Sequence, residues 1–180
     1  MSVHFDSQQN HFALFGLPLA FRLDLRQLEQ DYRHWQAQVH PDKVAHLSAA
    51  EQRVAVQQAS WVNEAYQTLR SPLRRARYLL QLHGVDTQEE TNTVMPMDFL
   101  MAQMERREAV AEARHHGELE VLDQLASDVR QDIAAMQQQL GGCLDDVPDY
   151  LQAAGLVRKL RFMEKLDEDI QSAYDDIDSR

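Results

Sequence analysis

Apolar residues along this chain recur at spacings of three and four, and nowhere do they alternate with polar ones at period two. That periodicity is the mark of amphipathic helices. Leu25, Leu28, Tyr32, Trp35 and Val39 form one stripe and predict a helix over residues 24–39, with Asp24 as its N-cap. A short opening helix is expected over 10–16, carrying Phe12, Leu14 and Phe15 and closed by Leu17-Pro18. Ser48 and Glu51 are spaced as a capping box. They open a third helix that reaches about Leu69 and buries Val54, Val62, Ala65, Tyr66 and Leu69. Ser71-Pro72 reads as N-cap and first position of a fourth, ending before Gly84, with Tyr78, Leu79 and Leu82 on its apolar face. Residues 85–96 are polar and aperiodic. Three longer patterns follow over 98–116, 118–140 and 149–174, with Gly141-Gly142 breaking the chain between the last two and residues 175–180 frayed. The expected class is all-α, in three parts: a helical hairpin with short flanking helices (1–84), a linker (85–96), and an antiparallel three-helix bundle (97–180).

Charge separates the two helical regions further. The net charge of −11 over 180 residues is unevenly shared. Residues 1–84 hold nine Lys/Arg against seven Asp/Glu, a net of +2, whereas 85–180 hold nine against twenty-two, a net of −13. An acidic bundle repels a phosphate backbone, which argues against nucleic acid as a partner. The single cysteine, Cys143, excludes an internal disulfide and a cysteine zinc site. No apolar run approaches a bilayer span, and the amino terminus lacks the basic-then-apolar pattern of a signal peptide. A cytoplasmic protein with no membrane partner, metal or cofactor is expected.

Between the second and third helical patterns stands His40-Pro41-Asp42. Proline cannot continue the preceding helix and pushes His40 out of α geometry, so a histidine and a carboxylate are displayed on a turn. The residues alone leave four readings open: an acid–base pair, a metal site shared with His46, a plain connecting turn, or a docking loop. No nucleophile, oxyanion hole or glycine-rich phosphate loop lies nearby to support catalysis.

With its flanks, the tripeptide resembles a known signature. Tyr32-Arg33, His40-Pro41-Asp42, Asn63-Glu64-Ala65-Tyr66, Leu69, Pro72, Arg75-Ala76 and Tyr78 are similar to the J domain, over roughly residues 5–80. The resemblance implies a loop that docks on a seventy-kilodalton heat-shock chaperone and promotes its ATP hydrolysis. In it Asp42 pairs with a chaperone arginine, His40 orients the loop and Pro41 fixes its shape. A basic face on the second helix would assist, here reduced to Arg22, Arg26, Arg33 and Lys43, with Glu29 and Asp31 diluting it. The glycine/phenylalanine stretch and zinc modules of general members are missing, which turns expectation away from a general chaperone of unfolded chains.

The helix over 98–116 carries more apolar surface than a bundle needs. Projected at about 100° per residue, Ala113, Phe99, Val110 and Gln103 share one arc, the expected core. Leu100, Met97, Met101 and Met104 share another, continued by Glu105, Glu108 and Glu112. Methionine-rich surfaces with charged borders suit protein recognition, although a three-helix packing could bury both arcs. On the last helix Phe162 falls off the stripe of Leu156, Leu160, Met163 and Ile170.

A narrower resemblance spans nearly the whole chain. Leu14-Phe15-Gly16-Leu17-Pro18, Tyr78-Leu79-Leu80-x-Leu82-His83-Gly84, Phe99-Leu100-Met101 and Val157-Arg158-Lys159-Leu160-Arg161-Phe162 are similar to the HscB family of iron–sulfur cluster co-chaperones. Membership implies that the bundle binds an IscU-type scaffold protein through Leu100, Met101, Met104, Glu105, Glu108, Glu112 and Phe162. It also implies that the hairpin, through His40, Pro41, Asp42, Arg26, Arg33 and Lys43, engages an HscA-type chaperone. Such a protein is a non-enzymatic adaptor, and one cysteine cannot itself ligate a cluster. The alternatives are a J-type adaptor for a different client, a metal-dependent enzyme built on His40, Asp42 and His46, and a purely structural helical protein.

Overall fold

The computed structural model describes residues 9–38, 48–89 and 95–179, and among them every regular element is helical. The chain divides into two compact units, residues 1–79 and 80–180. The division falls within a helix, five residues before the end of the region expected to close at 84.

The first unit opens with α1, His11–Leu14, capped by the Asn10 side chain, which accepts from the Ala13 N–H. Helix α2, Leu25–Gln38, begins where the Asp24 carboxylate accepts from the Arg26 and Gln27 N–H groups. Helix α3, Ala49–Arg70, starts at the expected capping box of Ser48 and Glu51. Helix α4, Pro72–Leu82, begins where the Ser71 hydroxyl accepts from Arg74. Phe12, Leu28, Trp35, Val62, Ala65 and Leu69 are buried in the core of this unit, and the Trp35 indole donates to the Leu14 carbonyl. Three residues expected inside are not: Leu25, Val54 and Leu82 are 49%, 50% and 40% exposed. Ala55, Leu73, Ala76 and Leu80 are buried instead, so the apolar stripe on α3 and α4 lies slightly rotated from the one drawn on the largest side chains.

The second unit is a three-helix bundle of α5, Met97–His116, α6, Leu119–Gly141, and α7, Tyr150–Asp178. Gly117, in the left-handed conformation at φ 73°, ends α5 and lets the chain turn within two residues into α6. Val110, Ala113, Leu122, Ala126, Val129, Met163, Leu166, Ile170 and Ala173 form one buried cluster, with Phe99, Ile133, Tyr174 and Ile177 packed on it. Two expectations are corrected here. Gly141-Gly142 does not break the chain: α6 runs through Gly141 into a π-helical turn, Gly142–Asp146, because Leu140, Gly141 and Cys143 are buried and packing outweighs glycine's intrinsic cost. Nor does the last helix fray at 175. It continues to Asp178, held by Ile177 against the core and by an ion pair of Asp176 with Arg114.

The polar stretch after α4 is fastened to the bundle. His83 stacks on Tyr150 at 4.5 Å, Arg158 donates to the Thr87 carbonyl at 2.9 Å, and Arg161 meets Glu89 at 3.8 Å. Its polarity reflects turn formation: Gln88 adopts φ 51° and its N–H donates to the Asp86 carboxylate, an Asx-type turn.

Candidate functional site

Among the described residues, chemistry-bearing side chains gather on each of the two units. On the first, the residues that carried the J-type resemblance knit α2 to α3. The Tyr32 and Tyr66 rings stack with centroids 3.9 Å apart, and the Tyr32 hydroxyl donates to Asn63 at 3.1 Å. The Tyr66 hydroxyl donates to one Glu29 oxygen at 2.8 Å, while Arg33 donates to the other through Nε and a terminal nitrogen at 3.1 and 2.9 Å. Those donors, Tyr66 first, hold the Glu29 carboxyl below its ordinary range, and the same bond pushes the Tyr66 phenol up. Arg70 lies 5.5 Å from the centre of the Tyr66 ring. These residues therefore fix the relation of the two hairpin helices.

Of the expected docking residues, Arg26 and Arg33 are exposed on α2, and Arg33 is held by Glu29. His40, Pro41, Asp42 and Lys43, with His46 of the alternative metal site, lie outside the described residues. Glu29 was read from sequence only as a dilution of positive charge. Its hold on Arg33 was available in the i, i+4 spacing, but its bond to Tyr66 depends on how α2 and α3 align.

Beside this hairpin, His11 is buried between Trp61, edge-on at 4.9 Å, and Tyr78, stacked at 4.3 Å. Burial lowers its pKa, opposed by the charge of Glu64.

On the second unit, α5 turns Val110, Ala113 and Gln103 inward and rests Phe99 against the core, as the first arc requires. The second arc stays out. Met101 and Met104 are 55% and 71% exposed, Leu100 is half-buried, and Glu105, Glu108 and Glu112 are exposed. The bundle thus needs one arc, and the methionine arc faces solvent with a carboxylate border. Phe162, on α7, is half-buried, edge-on to Phe99 at 6.3 Å. Its ring meets Phe99, the α5 residue that rests against the core. Phe162 also lines an open groove with Glu89, Met95, Arg107, Arg158, Arg161 and Lys165. Sequence reading missed the basic character of that groove, although Arg158, Arg161 and Lys165 stand at i, i+3 and i+7 on one helix face.

Among the described residues no group of three or more His, Cys, Asp or Glu could hold a metal ion, and no helix is long and apolar enough to cross a membrane. What these surfaces offer is protein recognition: two helices locked in register on one unit, and an uncovered apolar face with acidic borders on the other.

Comparison with known proteins bears on both units. Residues 95–171 match the family model described as the HSCB C-terminal oligomerisation domain. Over 172 residues the chain is 51% identical to the co-chaperone protein HscB homolog of Chromobacterium violaceum, covering 96% of this chain and 97% of that one. It is 47% identical over 174 residues to the corresponding homolog of Azoarcus, covering 97% and 98%. The solved structure of chaperone HscB from Vibrio cholerae superposes with a TM-score of 0.83 at 38% identity, over 94% of this chain and 99% of that chain.

Proposed function

The chain belongs to the HscB co-chaperone family, and from that premise we propose that it is a cytoplasmic, non-enzymatic adaptor. It binds an IscU-type iron–sulfur scaffold protein on its bundle, delivers it to an HscA-type heat-shock chaperone and stimulates that chaperone's ATPase. The functional division is that of the sequence: 1–84 for the chaperone, 97–180 for the scaffold.

The observation that carries this reading is the uncovered face of α5. Met101 and Met104 remain mostly exposed although a complete core lies on the opposite side of the same helix. Leaving two thioether side chains in water gains nothing for folding, whereas flexible methionines accommodate an apolar partner surface well. Glu105, Glu108 and Glu112 along the same helix select a partner with cations at that edge, because like charges placed together at an interface cost affinity. Phe162 supplies an aromatic contact, the kind of residue on which binding energy concentrates.

At the other end, the Tyr32–Asn63 and Tyr66–Glu29 bonds fix α2 against α3 and so present both ends of the connection that holds His40, Pro41 and Asp42. Asp42 pairs with a chaperone arginine in a directional, charge-assisted contact. Arg26, Arg33 and Lys43 add weaker steering. Coupling arises because one molecule holds the client and the chaperone at once, which raises the effective concentration of one for the other.

Two measurements on purified proteins test the proposal. Calorimetry should detect binding of the scaffold to the full chain. A steady-state ATPase assay should show stimulation by the chain that rises further when scaffold is added. Absence of scaffold binding, or stimulation indifferent to scaffold, would overturn it.

A further inference from the structure

We propose that the basic groove beside Phe162 is a second contact site for the scaffold, one that receives a carboxylate-bearing, partly apolar segment of that partner. This rests on the scaffold-binding reading above and adds to it a surface of opposite sign.

Four cations, Arg107, Arg158, Arg161 and Lys165, line the groove together with one carboxylate, Glu89, and two apolar residues, Met95 and Phe162. The sign is the anomaly. Residues 85–180 carry only nine Lys/Arg against twenty-two Asp/Glu, yet four of the nine converge here. Gathering like charges has an electrostatic cost that the carboxylates beside Arg107, Arg161 and Lys165 offset in part, and an anionic ligand would offset it further.

The ion contacts within the groove leave capacity for one. Arg161 meets Glu89, and Arg107 meets Asp169, each at 3.8 Å, longer than an N–H···O hydrogen bond. Lys165 reaches Glu168 at 3.1 Å and Asp169 at 3.6 Å, and its side chain is still 59% exposed. Arg158 donates to the Thr87 carbonyl through one terminal nitrogen, while its Nε–H is buried without an acceptor among the described residues. A buried donor left in that state keeps the guanidinium incompletely compensated. Planar guanidinium groups beside a hydrophobic floor suit a carboxylate attached to an apolar stem.

Size narrows the ligand class. The cavity is about 270 Å³ and open on one side, room for one or two side chains and below the usual range for a cofactor. A segment with an Asp or Glu next to an apolar residue fills it, the carboxylate at Arg161 and Lys165 and the apolar group on Phe162 and Met95. With the acidic edge of α5 on the same bundle, the surface carries both signs. Two signs fix a partner's orientation where a purely apolar patch would allow several.

The test is calorimetric titration of the scaffold into the parent protein at low and high salt. Arg161→Gln with Lys165→Gln is compared with Arg130→Gln, an exposed arginine outside the groove, and with Met101→Ala with Met104→Ala. The groove variant should bind about tenfold more weakly at low salt, and its deficit should shrink at high salt as screening grows. Arg161→Glu with Lys165→Glu should bind more weakly still. Lys165→Gln alone, a change at an exposed side chain, should show part of the loss with an unaltered melting temperature. An unchanged affinity in the groove variants, with loss in the methionine variant, would overturn this inference and leave the scaffold-binding reading standing. An equal loss from Arg130→Gln would also overturn it, since general charge would then explain the effect. If the parent binds no scaffold, both fall.

Discussion

Replacing Met101 and Met104 by alanine separates a binding face from a core face on a single helix. Full burial of a methionine side chain is worth about 1.5–3 kcal/mol. Met101 is 55% exposed and Met104 is 71% exposed, so less than half and less than a third of that is at stake. Alanine is moreover a better helix former than methionine, which offsets part of the loss. The pair should cost about 1 kcal/mol, a fall in the bundle's melting temperature of about 4–8 °C. Leu166→Ala supplies the contrast: the side chain is fully buried among Val110, Met163 and Ile170, and such truncations cost about 2–5 kcal/mol. Scaffold affinity should behave in the opposite order. The double methionine variant should weaken binding about tenfold, equivalent to about 1.4 kcal/mol, because a few central residues dominate an interface. Thermal melting and calorimetry on the same preparations read both effects. A melting shift as large as that of Leu166→Ala, or an unchanged affinity, would refute the reasoning.

Three further outcomes are expected. His11 has its pKa lowered from 6.5 by burial, so the unfolded chain binds its proton more readily and stability is lost as pH falls below about 6.5; His11→Phe, which keeps the aromatic packing with Trp61 and Tyr78, should flatten that loss in acid denaturation curves, and an identical pH profile would contradict it. Tyr174 is pushed up to about 12 by burial and by its bond to Asp123, so its contribution is present below pH 10 and lost as pH rises from 10 to 12; absorbance titration should show, besides the raised Tyr66, a late phenol that disappears in Tyr174→Phe. A fragment of residues 80–180 should melt above one of residues 97–180, because Thr87, Glu89 and His83 are fastened to α7, and equal melting would show those contacts to be idle.

Local signals in the chain were legible wherever they concern one helix at a time. The capping box at Ser48 and Glu51, the stop at Gly117 and the core arc of Val110 and Ala113 all follow from spacing within a single segment. What could not be read depends on neighbours. Gly141-Gly142 carries every mark of a break, but the burial of Leu140 and Cys143 holds the chain helical through it. Residues 175–178 have the polarity of a frayed end, and only the positions of Arg114 and the bundle core explain their order. The apolar pattern of α3 and α4 places Val54 and Leu82 inward, although the face buried is set by the rotation of each helix in its packing. The Tyr66–Glu29 bond and the groove around Phe162 need the register of two elements, which no single-helix periodicity encodes. The HscB-type pattern pointed to the α5 face, on which Met101 and Met104 are exposed. It did not point to the cations of the groove.

The adaptor role is tested most directly by the chaperone's ATPase rate with the parent protein and with Asp42→Ala, each with and without scaffold. The parent should stimulate hydrolysis, more strongly with scaffold present. Asp42→Ala should bind scaffold with parental affinity and melt with the parent, yet stimulate neither alone nor with scaffold. Full stimulation by Asp42→Ala would contradict the docking role of the tripeptide, and with it the claim that this chain joins its client to a chaperone.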